Sequence, residues 1–159
     1  MAQETTKEAL LGALCASTRG FVTYVPLRTE VSFRERFPIQ AGAPEYEILP
    51  RGSLDPGIEV AQAVRTLSGL PVAILMPGRR FDVFGTRLGQ GGGWYDRFLS
   101  VAPVEWLRVG FCFSDQFSPT PLVRMPHDEP VDVVCVVERT TGALSVLETR
   151  ARMPAFLEN

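Results

Sequence analysis

The chain has 159 residues, 16 basic against 18 acidic side chains, a formal charge of −2 and 45% apolar residues. That length fits one domain with a sizeable core. A balanced charge without a basic stripe excludes a nucleic-acid or membrane binder held by its overall field. No apolar run approaches the roughly 18 residues that span a bilayer, and the first residues lack the pattern of a secretory signal, so a cytoplasmic location is expected. Cys15, Cys112 and Cys135 have no paired spacing, and the last two sit in apolar runs, as buried thiols of a reducing compartment do.

In chain order, residues 6–15 predict a helix from Ala9, Leu10, Ala13 and Leu14, with Thr5 or Thr6 as cap and Glu8 in the first turn. Residues 21–25 read as a strand. Residues 27–57 read as a proline-rich irregular region with one short strand near Val31, Ser32 and Phe33. A helix follows with Ile58, Ala61, Val64 and Leu67 on one face, ending near Gly69. The continuous apolar run 72–76, closed by Pro77 and Gly78, predicts a buried parallel strand. A helix is expected over 94–101 and strands over 107–113 and 131–137. Thr140, Thr141 and Gly142 form a turn, after which Leu144 to Leu147 pair back as a hairpin. Alternating helix and strand describe a single α/β domain over 1–150, with 151–159 as a frayed tail.

The segment with most chemical content is Arg87-Leu88-Gly89-Gln90-Gly91-Gly92-Gly93-Trp94-Tyr95-Asp96, which places four glycines in five positions between a strand and a helix. Such a cluster is kept for close backbone approach or positive φ. Successive N–H groups in that geometry form an anion-binding nest, to which the positive end of the next helix adds. Arg87 adds a fork of donors suited to phosphate. In open α/β sheets ligands sit beyond the carboxyl ends of strands, where this loop lies. A tight turn without a ligand is the structural alternative.

The residues around the loop resemble the 5-formyltetrahydrofolate cyclo-ligase (methenyltetrahydrofolate synthetase) family. The resemblance rests on Pro77-Gly78, then Phe81-Asp82, then Gly85-Thr86-Arg87 through Asp96-Arg97, and is dense between residues 74 and 99. Weaker similarity extends over roughly residues 5–137, through Phe21 to Pro26, Leu49 to Pro56, Arg108 to Phe111 and Pro126 to Asp132. The resemblance implies a three-layer, Rossmann-like α/β domain of the ribose-5-phosphate isomerase and CoA-transferase type, with a mostly parallel sheet. It implies ATP- and Mg²⁺-dependent closure of 5-formyltetrahydrofolate to 5,10-methenyltetrahydrofolate, with ATP and the reduced folate as partners. Phosphorylation of the formyl oxygen makes a leaving group that N10 of the folate displaces. On this basis Arg87, Leu88, Gly89, Gln90, Gly91, Gly92, Gly93, Trp94 and Tyr95 are expected to hold the nucleotide. Arg87, Tyr95 and Asp96 are expected to serve the chemistry, and Asp96 and Asp128 to hold Mg²⁺.

Several of these residues carry a second reading. Asp96 also suits helix capping or pairing with Arg97, and Asp128 a turn before a strand. His127 reads as an exposed turn residue or as a proton donor. Trp94 suits core packing or ring stacking. Arg79 and Arg80 stand where the family has small or apolar residues, either as a solvated pair or as anion contacts.

The family's substrate glutamate aligns either near Glu4 or at Glu30, after Tyr24-Val25-Pro26. Only 57 residues separate Glu30 from Arg87, which favours the first alignment and leaves a homo-oligomer or partner chain to complete the site. Two readings of other classes stand beside the cyclo-ligase. One is a non-catalytic nucleotide- or phosphometabolite-binding protein, the other a sugar-phosphate or acyl-CoA enzyme on the same scaffold.

Overall fold

Runs of branched and aromatic residues set side by side account for the sheet. The computed structural model describes residues 16–37, 39, 41–48, 54–89 and 91–149. Strands β1 (Gly20–Tyr24), β2 (Glu45–Ile48), β3 (Val72–Pro77), β6 (Leu107–Phe113), β7 (Val133–Val137) and β8 (Leu144–Glu148) form one sheet in the order β2-β1-β3-β6-β7-β8. The first five run parallel, and β8 returns antiparallel on β7 through the expected hairpin, pairing Val137 with Leu144. Between β3 and β6 lie a two-stranded ribbon, β4 (Arg80–Phe81) with β5 (Arg87–Leu88), and helix α2 (Trp94–Val101). Helix α1 (Pro56–Thr66) joins β2 to β3.

Every residue of β3 is buried, which is why its sequence is uniformly apolar rather than alternating. Val22, Ile74 and Met76 meet Val60, Ala63 and Phe98 of the two helices, while Phe21, Ala73 and Leu75 face a second cluster built on Phe33, Phe37 and Phe111. The fold is the expected α/β type with a mostly parallel sheet.

Three local expectations are corrected. Residues 31–33 form no strand; Phe33–Glu35 is a 3₁₀ turn, with the Phe37 amide 2.7 Å from the Phe33 carbonyl. That turn brings Phe33 and Phe37 onto the same side, their rings 6.2 and 5.8 Å from Phe111. The strand lies later, at Glu45–Ile48, where Glu45 is held by Arg34 and Thr23. In α1, Asp55 caps the Gly57 amide and Pro56 opens the helix as expected of a first-turn residue. Its buried face is Pro56, Glu59, Val60 and Ala63, continued by Leu67, and not the Ile58, Ala61 and Val64 stripe; Ile58 is half exposed. Glu59 reads as a surface residue in the sequence, yet its carboxylate accepts from the Tyr46 hydroxyl of β2, which makes burial of that face tolerable. The expected helix at 6–15 and the tail at 151–159 lie outside the described residues.

Candidate functional site

The sheet order reverses between β1 and β3: from β1 the chain moves outward to β2, then returns to the other side as β3. The loops leaving two such strands diverge and open a crevice at their carboxyl ends. A cavity of about 530 Å³ lies there, bounded by Tyr24 and Val25 after β1, Ile48 at the end of β2, and Pro77 and Gly78 at the end of β3. The glycine loop and the start of α2 form another wall, and His127 and Asp128 a further one.

The path from β3 to the loop is fixed by a buried carboxylate. Asp82 is 1% exposed; its Oδ1 accepts the amides of Phe84 and Thr86, both at 2.9 Å, and its Oδ2 accepts the Leu122 amide at 2.7 Å. Arg124 then clasps the same bend through the Phe84 carbonyl and the Thr86 hydroxyl. Phe81 beside it fills the space over two glycines. A Cβ on Gly78 would lie 2.7 Å from its ring, and one on Gly110 would overlap it.

Beyond this bend the backbone is open. Gly91, Gly92 and Gly93 have φ of +92°, +81° and +62°, a region other residues enter at a cost, and nothing lies within 4 Å of where a Cβ would sit on Gly91 or Gly92. Among the described residues no hydrogen bond uses the amides of these three glycines. Gly93 is also the N-cap of α2, with no side chain capping that helix. Residues with unused N–H groups and a helix N-terminus therefore border one cavity. Gln90, expected in the same cradle, lies outside the described residues.

Arg87 is held at the entrance to this loop. Its Nε donates to the Pro77 carbonyl at 2.6 Å, and its guanidinium lies 4.6 Å from the centroid of the Tyr95 ring. A Cβ on Gly89 would come within 2.9 Å of Arg87 Nη1, so glycine there leaves room for the guanidinium to fold over the loop. Leu88 is exposed on the cavity rim.

Asp96 lies in the first turn of α2, and its Oδ1 accepts the Glu129 amide at 3.0 Å. Arg97 does not pair with it; it donates instead to the Gly92 carbonyl at 2.9 Å and braces the loop. Asp128 Oδ2 accepts the Met125 amide at 2.8 Å, as its turn reading required, while the residue also faces the cavity. Buried Arg108 binds Glu129 at 2.8 Å and the Leu99 carbonyl at 3.1 Å, clamping the Asp128 segment to α2. His127 borders the cavity with its side chain 72% exposed. Trp94 packs inward: its ring stacks on Phe98 at 5.4 Å and its Nε1 donates to the Leu54 carbonyl.

Two residues the preferred sequence alignment passed over also face the cavity. Glu30 lines it, with its own loop folded so that Oε1 accepts the Leu27 amide at 2.8 Å. Tyr24 donates to the Val31 carbonyl at 2.7 Å, and burial pushes its hydroxyl well above the ordinary tyrosine value. The pattern Tyr24-Val25-Pro26 followed by Glu30 was the available signal. Its short spacing to Arg87 is accommodated because β1 and β3 are neighbours in the sheet. Glu4, the alternative, lies outside the described residues.

The donor set fits a polyphosphate ligand, since the unused glycine amides and Arg87 meet at one wall. For a divalent cation the chain offers Asp96 and Asp128; among the described residues no group of three or more His, Cys, Asp or Glu converges. Two carboxylates completed by phosphate oxygens and water suit Mg²⁺, which is seldom caged by protein alone.

Comparisons with known proteins place the chain in a family. The profile of the 5-formyltetrahydrofolate cyclo-ligase family matches residues 47–137. A 5-formyltetrahydrofolate cyclo-ligase of Saccharomyces cerevisiae is 39% identical over 70 residues, covering 39% of this chain and 32% of the yeast protein. The chain thus aligns with about a third of that relative's length. A solved 5,10-methenyltetrahydrofolate synthetase from Mycoplasma pneumoniae superposes with a TM-score of 0.54 at 19% identity, over 80% of each chain. A second, from Aquifex aeolicus, gives a TM-score of 0.49 at 21% identity, over 97% of this chain and 87% of that one.

Proposed function

Since this chain belongs to the 5-formyltetrahydrofolate cyclo-ligase family, we propose that it couples ATP hydrolysis to ring closure of 5-formyltetrahydrofolate, giving 5,10-methenyltetrahydrofolate. The observation that carries this reading is the trio of positive-φ glycines, Gly91, Gly92 and Gly93, which line the cavity at the sheet's reversal point and whose amides have no acceptor among the described residues. Those amides and Arg87 hold the phosphates and offset the charge that builds up during phosphoryl transfer. Tyr95 keeps the Arg87 guanidinium over its ring, so the cation is in place before the ligand arrives. Mg²⁺ held by Asp96 and Asp128 would neutralise phosphate oxygens.

The opposite wall suits the folate. Val25 and Leu27 are each 47% exposed at the rim and offer apolar contact to a flat ring. Glu30 offers a carboxylate acceptor to ring N–H groups. In this reading the formyl oxygen is brought to the γ-phosphate between the two walls, and the main work of the protein is alignment and electrostatic stabilisation. The expected cytoplasmic location accords with that chemistry, and among the described residues no helix is long and apolar enough to cross a membrane.

Incubation with 5-formyltetrahydrofolate, ATP and Mg²⁺ should produce the absorbance band of the methenyl product, with one ADP released per ring closed. No band above the control without protein would contradict the proposal.

A further inference from the structure

Arg79 and Arg80 are adjacent, and the fold treats them differently. The Arg79 amide donates to the Leu88 carbonyl at 2.7 Å, and Arg80 pairs with Leu88 in the ribbon, so the backbone of both is fixed. Arg79 lies in the bend before the ribbon, and Arg80 is the first residue of β4. Arg79 lines the cavity, whereas Arg80 is absent from its wall. Both are exposed, and among the described residues neither guanidinium makes a hydrogen bond or an ion pair. The hydrogen bond from its amide to Leu88 also sets Arg79 across the ribbon from the start of the glycine loop.

From this placement we infer that Arg79 is a second anchor for the polyphosphate of the nucleotide, outside the glycine loop, and sets the preference for a ligand with several phosphates. The inference rests on the proposed nucleotide site and deepens it. Arg87 has its Nε bound to the Pro77 carbonyl and its guanidinium over the Tyr95 ring, so it brings only part of its fork to the phosphates. A ligand bearing three needs further positive charge nearby, and Arg79 is a cation with a free fork of donors on that side.

The test is binding of inorganic tripolyphosphate, ATP and 5-formyltetrahydrofolate to the full chain and to Arg79→Gln, Arg79→Lys and Arg80→Gln, by calorimetry at low and moderate salt. Arg79→Gln should weaken tripolyphosphate and ATP about tenfold, Arg79→Lys by less, and Arg80→Gln by less than about twofold. Folate affinity should be unchanged in all, and the loss in Arg79→Gln should shrink as salt is added. Equal behaviour of Arg79→Gln and Arg80→Gln, or a loss confined to the folate, overturns the inference while leaving the nucleotide site standing. Failure of the parent chain to bind either phosphate ligand overturns both.

Discussion

Two bends lie within a dozen residues of each other and solve the same backbone problem in opposite ways. The bend over residues 82–86 is closed: one buried carboxylate, Asp82, takes three amides, and Arg124 covers the remaining acceptors. The bend at residues 91–93 is open, with three left-handed glycines and amides that find no acceptor among the described residues. Buried polar groups are satisfied unless something else is meant to satisfy them. The first bend is scaffold, and the second is a place for a ligand. The rigid one is what makes the open one useful, because it fixes where the loop begins.

The comparison breaks most visibly at Asp82. Asp82→Ala should lower stability by about 4 kcal/mol, because three amides lose their acceptor in a buried site; Asp82→Asn should cost less. Urea unfolding followed by circular dichroism measures both. Gly110→Ala tests the same scaffold by a different route. Its added methyl meets the Phe81 ring, so a loss of about 2 to 3 kcal/mol is expected. Gly92→Ala sharpens the contrast. The space there is empty and only the positive φ resists, so the stability cost should be about 1 kcal/mol. ATP affinity should nonetheless drop about tenfold or more, since the methyl would project where phosphate oxygens approach. Calorimetric titration reports this, and an unchanged affinity would count against the cradle.

A further effect, unrelated to either bend, is one of pH. Burial raises the Cys112 thiol from near 9.0 to about 12, and burial also raises Tyr24 and Tyr46. Below about pH 9 folded and unfolded chains hold these protons equally. Above it the unfolded chain releases the thiol proton first, so stability should decline between pH 9 and 12, by at most about 1.4 kcal/mol per pH unit for the thiol. Urea midpoints measured across that range check the decline, and Cys112→Ala should flatten part of it.

How far the sequence could be read follows from where each constraint lies. β3 and β7 were legible because strands buried on both faces are apolar throughout, and β6 because its apolar run is broken only by Arg108. The glycine loop was legible because its backbone demands are written in its own residues. β2 was not: Glu45-Tyr46-Glu47-Ile48 looks like surface, and its pairing with β1 is supported by contacts to Arg34, Thr23 and Glu59 that lie elsewhere in the chain. The face of α1 was missed for the same reason, since the buried side carries Glu59 and the exposed one Ile58 and Val64. That Glu30 shares a cavity with the glycine loop was not legible, because it arises from β1 lying beside β3, a pairing that spans some fifty residues of chain.

Amide hydrogen exchange by NMR, with and without ATP and Mg²⁺, tests the central claim most directly. The Phe84 and Thr86 amides should be protected in both states. Those of Gly91, Gly92 and Gly93 should exchange rapidly in the free protein and become protected when the nucleotide saturates it. Glycine amides that are already protected without ligand, or that stay unprotected at saturating ATP, would contradict the account.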